Sequence, residues 1–145
     1  MQKNELEIIG LKEDLSSVEL PLMRSELSAG FPSPAEEYTE GKLDLNEYLI
    51  ERPAATFCVR ITGDSMKDAG ILEGSIAIVD RSLEAKNKDI VVAVLNGELT
   101  IKRLHTSEEQ CSLLPENEDY PPIHIGEGDS FSIWGVVTGV VHRFK

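Results

Sequence analysis

The chain has 145 residues, 26 of them acidic and 14 basic, for a formal charge of −12 at pH 7. With 41% apolar residues it can fold one compact domain with a real core plus a short arm, and it is too apolar for a disordered chain. So negative a surface repels phosphate, which disfavours direct DNA binding and anionic membranes and favours a partner with a basic patch.

The first residues, Met1-Gln2-Lys3-Asn4-Glu5-Leu6-Glu7, have no basic region followed by an apolar one. No run approaches the ~18 apolar residues of a membrane span. Cys58 and Cys111 are far apart and lack metal-ligand spacing. The expectation is a cytosolic chain with reduced thiols, no metal and no cofactor.

In chain order, residues 1–29 show weak periodicity. Ile8-Ile9-Gly10-Leu11 and Leu20-Pro21-Leu22-Met23 are short apolar patches in an arm expected to be extended or loosely ordered. Ala29-Gly30-Phe31-Pro32-Ser33-Pro34 follows, and its prolines enforce an extended segment. A helix is expected within 36–50, capped by Asp44, carrying Leu45, Tyr48 and Leu49 inward and ended by Pro53. Beyond it the sequence predicts strands over 56–61, 75–80, 89–95, 98–104, 110–114 and 131–141. Asn96-Gly97 between two apolar runs marks a tight hairpin, because a type I′ turn needs positive φ at both central positions. Short strands with frequent turns define the expected class: mainly β, a small barrel-like sheet.

Gly63-Asp64-Ser65-Met66 follows the first of these strands. A serine beside a glycine in a tight turn can be presented as a nucleophile near free backbone N–H groups, although Gly-x-Ser in a turn is more often structural. Lys102 lies in the strand after the Asn-Gly hairpin. Alternation puts it with Thr100 on a solvent face. The contrasting possibility is an apolar pocket, where desolvation disfavours the ammonium and a neutral amine can take a serine proton. At Ala29-Gly30 a small residue followed by glycine, ahead of a proline-extended segment, fits a narrow cleft, while the plainer meaning is a linker. His105, His124 and His142 are scattered and are expected to be structural or surface groups. Phe131 and Trp134 are expected in the core, Asp64 as an acidic turn residue, and Glu36-Glu37 and Glu116 to Asp119 in solvated loops.

Taken together, Gly30-Phe31-Pro32-Ser33-Pro34-Ala35, Asp44-Leu45-Asn46, Gly63-Asp64-Ser65-Met66, Gly74, Val79-Asp80, Gly97-Glu98, Thr100-Ile101-Lys102 and Gly135-Val136-Val137 resemble the UmuD branch of the LexA-like S24 family of self-cleaving proteins. The resemblance runs from about Gly30 to the C-terminus. It implies a sheet domain of the LexA/signal-peptidase type over 30–145, serving for catalysis and dimerisation, behind a flexible, cleavable arm over 1–29. It implies Ser65 as nucleophile, Lys102 as neutral base, Ala29-Gly30 as the scissile peptide, and the backbone N–H groups of Asp64 and Ser65 as oxyanion donors. It further implies a DNA-damage (SOS) role: a homodimer, stimulated to cleave itself by RecA filaments on single-stranded DNA, whose product serves a Y-family, UmuC-like polymerase in translesion synthesis. Ala-Gly is the cleavage dipeptide typical of the repressor relatives, whereas well-known accessory members have Cys-Gly. The segment 1–29 carries no helix–turn–helix pattern or basic face, which favours the accessory branch over a LexA-like repressor fragment. A signal-peptidase relative would be expected to carry a membrane anchor. A non-catalytic β binding module is the remaining alternative.

Overall fold

The computed structural model describes residues 6–11, 17, 19–23 and 39–145. The chain divides into two units, one of residues 1–11 and 52–145, the other of residues 12–51.

In the larger unit, the described residues form one eight-stranded antiparallel sheet. Its strands are β1 (Leu6–Ile9), β4 (Thr56–Ile61), β5 (Ile76–Asp80), β6 (Ile90–Leu95), β7 (Glu98–Thr106), β8 (Cys111–Leu114), β9 (Ile123–Ile125) and β10 (Phe131–Val141), in spatial order β1-β4-β5-β10-β6-β7-β8-β9. The expectation of a mainly β, barrel-like domain holds. Leu6 at one edge packs in the same buried cluster as Ile101 of β7, so the sheet curls over its own core. That cluster also contains Val59, Ile61, Met66, Ile71, Ala77, Val79 and Val92. A second cluster, of Val91, Ala93, Leu104, Leu113 and Val136, fills the other face. Val91, Val92 and Ala93 are consecutive and fully buried, so β6 is covered on both faces, as befits an unbroken apolar run in a central strand.

The hairpin joining β6 to β7 forms where Asn-Gly predicts it, with φ +51° at Asn96 and +84° at Gly97. The Asn96 side chain is held by Asp129 and by the Ser130 N–H, which ties the turn to the approach of β10. β10 is long enough to pair with both β5 and β6, and its register shifts between Ile133 and Gly135 and between Val137 and Gly139 mark bulges that let it bend. Trp134 is not core. It is 39% exposed and meets the half-buried Phe57 ring edge-on at 6.4 Å, and Phe131 is only partly buried.

The smaller unit contains the hairpin of β2 (Glu19–Met23) and β3 (Thr39–Asp44), followed by helix α1 (Leu45–Leu49). Asp44 caps α1 as expected, accepting from the N–H groups of Asn46 and Glu47. The helix is short, as expected, and Thr39–Asp44 before it is paired with β2 and not helical. Nor does it carry its apolar side chains inward: none is buried, and Tyr48 is 72% exposed. The described parts of the arm are extended, one of the two forms expected of it, with β1 paired to β4 and β2 to β3.

Candidate active site

The loop of residues 62–74 leaves β4 and returns to β5. Its ends are closed by a two-way exchange: Ile61 N–H donates to the Ser75 carbonyl at 2.9 Å and Gly74 N–H to the Ile61 carbonyl at 2.7 Å. Within it, Ser65 and Met66 form a turn that leads into a 3-10 turn, Lys67–Ala69, ended by Gly70 at φ +83°, a conformation that favours glycine. Met66 is buried in the first core cluster and anchors the loop. The Ser65 hydroxyl is thereby set at a fixed place, with 2% of the residue exposed.

Lys102 sits in the middle of β7, opposite Val91 of β6. It is 5% exposed and does not face solvent. Alternation along β7 holds, but Lys102 shares its parity with Leu104, which is buried in the second cluster with Val91. A strand covered on both faces has no solvent face to which a period of two could assign the lysine. Its Nζ lies 3.0 Å from Ser65 Oγ, 2.9 Å from Thr100 Oγ1 and 3.0 Å from the Ile101 carbonyl. Thr100 is the same-face neighbour two residues back, as the sequence had it. Nζ donates to Thr100 Oγ1 and the Ile101 carbonyl, and its remaining position meets Ser65 Oγ. Among the described residues no buried side-chain polar atom lacks a partner.

The segment after β8 closes over the serine loop. Glu116 N–H donates to the Ser65 carbonyl at 2.8 Å, and Asp68 N–H donates to the Glu116 carbonyl at 2.9 Å. Arg103 Nε, on the strand that carries Lys102, donates to the Glu116 carboxylate. Asn117 is 5% exposed, and its amide donates to the Asp64 carbonyl at 2.9 Å. Tyr120 donates its hydroxyl to the Asp64 carboxylate at 2.6 Å. Glu116 to Asp119 is therefore not simply a solvated loop: Glu118 and Asp119 are exposed, while Glu116 is half-buried against Arg103 and Asn117 turns in. Sequence reasoning missed Glu116, Asn117 and Tyr120, because a run rich in Asn, Asp and Glu reads as solvated. The one available signal was Pro115 followed by turn-forming residues.

Asp64 does not extend the serine–lysine pair into a triad, since its carboxylate is taken by Tyr120. Exposed His124 and His142 pair through Nδ1 with the buried hydroxyls of Ser112 (2.8 Å) and Ser75 (3.1 Å), and His105 is exposed. Cys58 and Cys111 are unlinked, and burial pushes both thiols up. Burial also pushes the Asp80 carboxyl up, but hydrogen bonds from Ser82 and the Arg52 guanidinium outweigh it and hold the group below its ordinary value. No described helix is long and apolar enough to cross a membrane. Ala29 and Gly30, with Pro32, Pro34 and Glu36-Glu37, lie outside the described residues.

A buried serine hydroxyl against a buried lysine amine meets the geometric requirement of a serine nucleophile served by an amine base. Residues 21–138 match the Peptidase S24-like family, and the chain belongs to it. It is 47% identical over 125 residues to Protein SamA of Salmonella typhimurium, covering 86% of each chain. It is 44% identical over 120 residues to Protein MucA of Escherichia coli, covering 82% of each. The match to the LexA repressor of Acidithiobacillus ferrooxidans, 44% identical over 125 residues, covers 84% of this chain and 60% of the repressor.

Proposed function

We propose that this chain is a self-cleaving serine endopeptidase of the SOS response whose shortened product assists an error-prone polymerase. The observation that carries the reading is the buried 3.0 Å approach of Lys102 Nζ to Ser65 Oγ. Membership of the S24-like family and the similarity to SamA, MucA and LexA support it.

Ser65 Oγ attacks the Ala29 carbonyl carbon while its proton passes to Lys102 Nζ, the amine serving as base in its unprotonated form. The oxyanion is received by the backbone N–H groups of Asp64 and Ser65. The tetrahedral adduct collapses, the Ala29–Gly30 bond breaks, and Lys102 returns the proton to the Gly30 amine. Water then attacks the Ser65 ester, again giving its proton to Lys102, and the resulting acid and free serine complete the cycle. The residues at hand need no metal or cofactor for these steps.

Thr100 and the Ile101 carbonyl orient the amine lone pair toward the serine. In the cell, a RecA filament on single-stranded DNA shifts the population toward the state with Ala29-Gly30 in the cleft, contributing no chemistry of its own. The product from Gly30 onward is a cytosolic homodimer that joins a Y-family, UmuC-like polymerase without binding DNA directly, in keeping with the formal charge of −9 left by its 20 acidic and 11 basic residues. The test is incubation at neutral pH with and without RecA filaments formed on single-stranded DNA. A filament-dependent product beginning at Gly30, absent in Ser65→Ala, supports the role. Cleavage indifferent to the filament would remove RecA from it.

A further inference from the structure

We propose that Asn117 is a positioning residue for self-cleavage: its side-chain amide fixes the peptide plane between Asp64 and Ser65, and so the direction of the Ser65 N–H that receives the oxyanion. This rests on the reading of Ser65 as the nucleophile. A peptide unit is planar, and in the trans form its N–H points away from its C=O. The chain described contains no cis bond. Holding the Asp64 carbonyl therefore aims the Ser65 N–H. That carbonyl receives Asn117 Nδ2 at 2.9 Å and the Lys67 N–H at a longer 3.2 Å.

Asn117 is itself held. Its Oδ1 accepts the Asp119 N–H at 2.9 Å, and its own carbonyl accepts the Tyr120 N–H at 3.1 Å. One side-chain atom must accept and the other must donate, which fixes the orientation of the amide and is met by asparagine but not by aspartate or leucine of similar shape. The residue is 5% exposed, so water competes poorly for the Asp64 carbonyl. The two loops do not depend on Asn117 to stay together. Backbone bonds from Glu116 to Ser65 and from Asp68 to Glu116 already join them, and the Glu116 bond fixes the Ser65 carbonyl on the other side of the nucleophile. What Asn117 adds is control of the 64–65 peptide.

The experiment follows self-cleavage of the full chain by intact mass from about pH 7 to about pH 11, across the ordinary lysine range, in wild type, Ser65→Ala, Asn117→Asp, Asn117→Ala and Tyr120→Phe. Asn117→Asp keeps the shape and the acceptor for Asp119 but sets a charged carboxylate oxygen against the Asp64 carbonyl, so its rate is the one to read should Asn117→Ala fail to fold. Both Asn117 variants are expected to cleave about 100-fold slower across the profile, the loss typical of one oxyanion donor. In the uncharged Asn117→Ala variant the pH midpoint of the rate, which reports the Lys102 amine, is expected to stay at the wild-type value. Tyr120→Phe removes the hydroxyl bond to the Asp64 carboxylate and leaves the Asn117 amide on the Asp64 carbonyl, so it is expected to cleave within about 3-fold of wild type. Folded Asn117 variants that cleave at the wild-type rate, or a moved midpoint in Asn117→Ala, would overturn the positioning role and leave the serine–lysine reading intact. A wild type that stays whole, or a Ser65→Ala variant that cleaves as well as wild type, would overturn both.

Discussion

Gly135 sits at the bulge of β10, where the backbone passes close over β5. A Cβ built there would lie 2.7 Å from Val79 Cγ1 and 2.9 Å from the Asp80 carbonyl oxygen. Val79 is fully buried and has no space to yield, and Asp80 is fastened by Ser82 and Arg52. Gly135→Ala must therefore push β10 from β5, an overpacking cost of about 1–3 kcal/mol. A change of that size in a chain of this length lowers Tm by about 4–10 °C. Gly128→Ala is the control, since its Cβ meets nothing within 4 Å. Losing glycine freedom in the unfolded chain alone would stabilise by about 0.4–1 kcal/mol, so the two substitutions are expected to differ in sign. Thermal unfolding followed by far-UV circular dichroism at pH 7 reads both. A Gly135→Ala protein melting within about 1 °C of wild type, against the scale above, would refute the close packing of β10 on β5.

Asp80 should govern part of the acid stability. Its folded carboxyl is held below the ordinary value of about 3.9, so its contribution is complete above that value and disappears as pH falls through the folded one. Urea midpoints measured from neutral to acid pH should show Asp80→Asn weaker than wild type at neutrality, with the gap closing at the acid end. Lys102→Met should abolish cleavage while moving Tm by no more than about 4 °C, because removing a buried amine offsets the partners lost by Ser65 and Thr100; unchanged cleavage would contradict the assigned base. Asp44→Ala should cost about 1 kcal/mol at the start of α1 and speed amide exchange at Asn46 and Glu47 about 5-fold, with no effect on Ser65-dependent cleavage.

The larger strands were legible because β-branched runs and turn residues are local signals. Asn96-Gly97 is the clearest case, since its required backbone angles leave few alternatives. β9 was not legible, for it is three residues, Ile123–Ile125, bounded by Pro121-Pro122 and Gly126. β3 was not either, because Thr39–Asp44 has no apolar alternation and owes its form to pairing with β2. In the site, Ser65 and Lys102 were named from the sequence, but nothing local could bring them together: the contact joins a loop after β4 to the middle of β7. Alternation misassigned Lys102 because it assumes one wet face, and β7 has none at that point. Asn117 was hidden for a related reason. The partner of its amide is a carbonyl on a loop more than fifty residues away in sequence.

The central claim is that Ser65 and Lys102 form a working pair that cuts Ala29-Gly30. The most direct measurement is intact mass over time at about pH 10, where lysine loses its proton without a partner's help, for wild type beside Ser65→Ala and Lys102→Ala. A new species beginning at Gly30 in wild type and absent from both variants is the predicted result. Three chains that remain whole, or three that are cut alike, would contradict it.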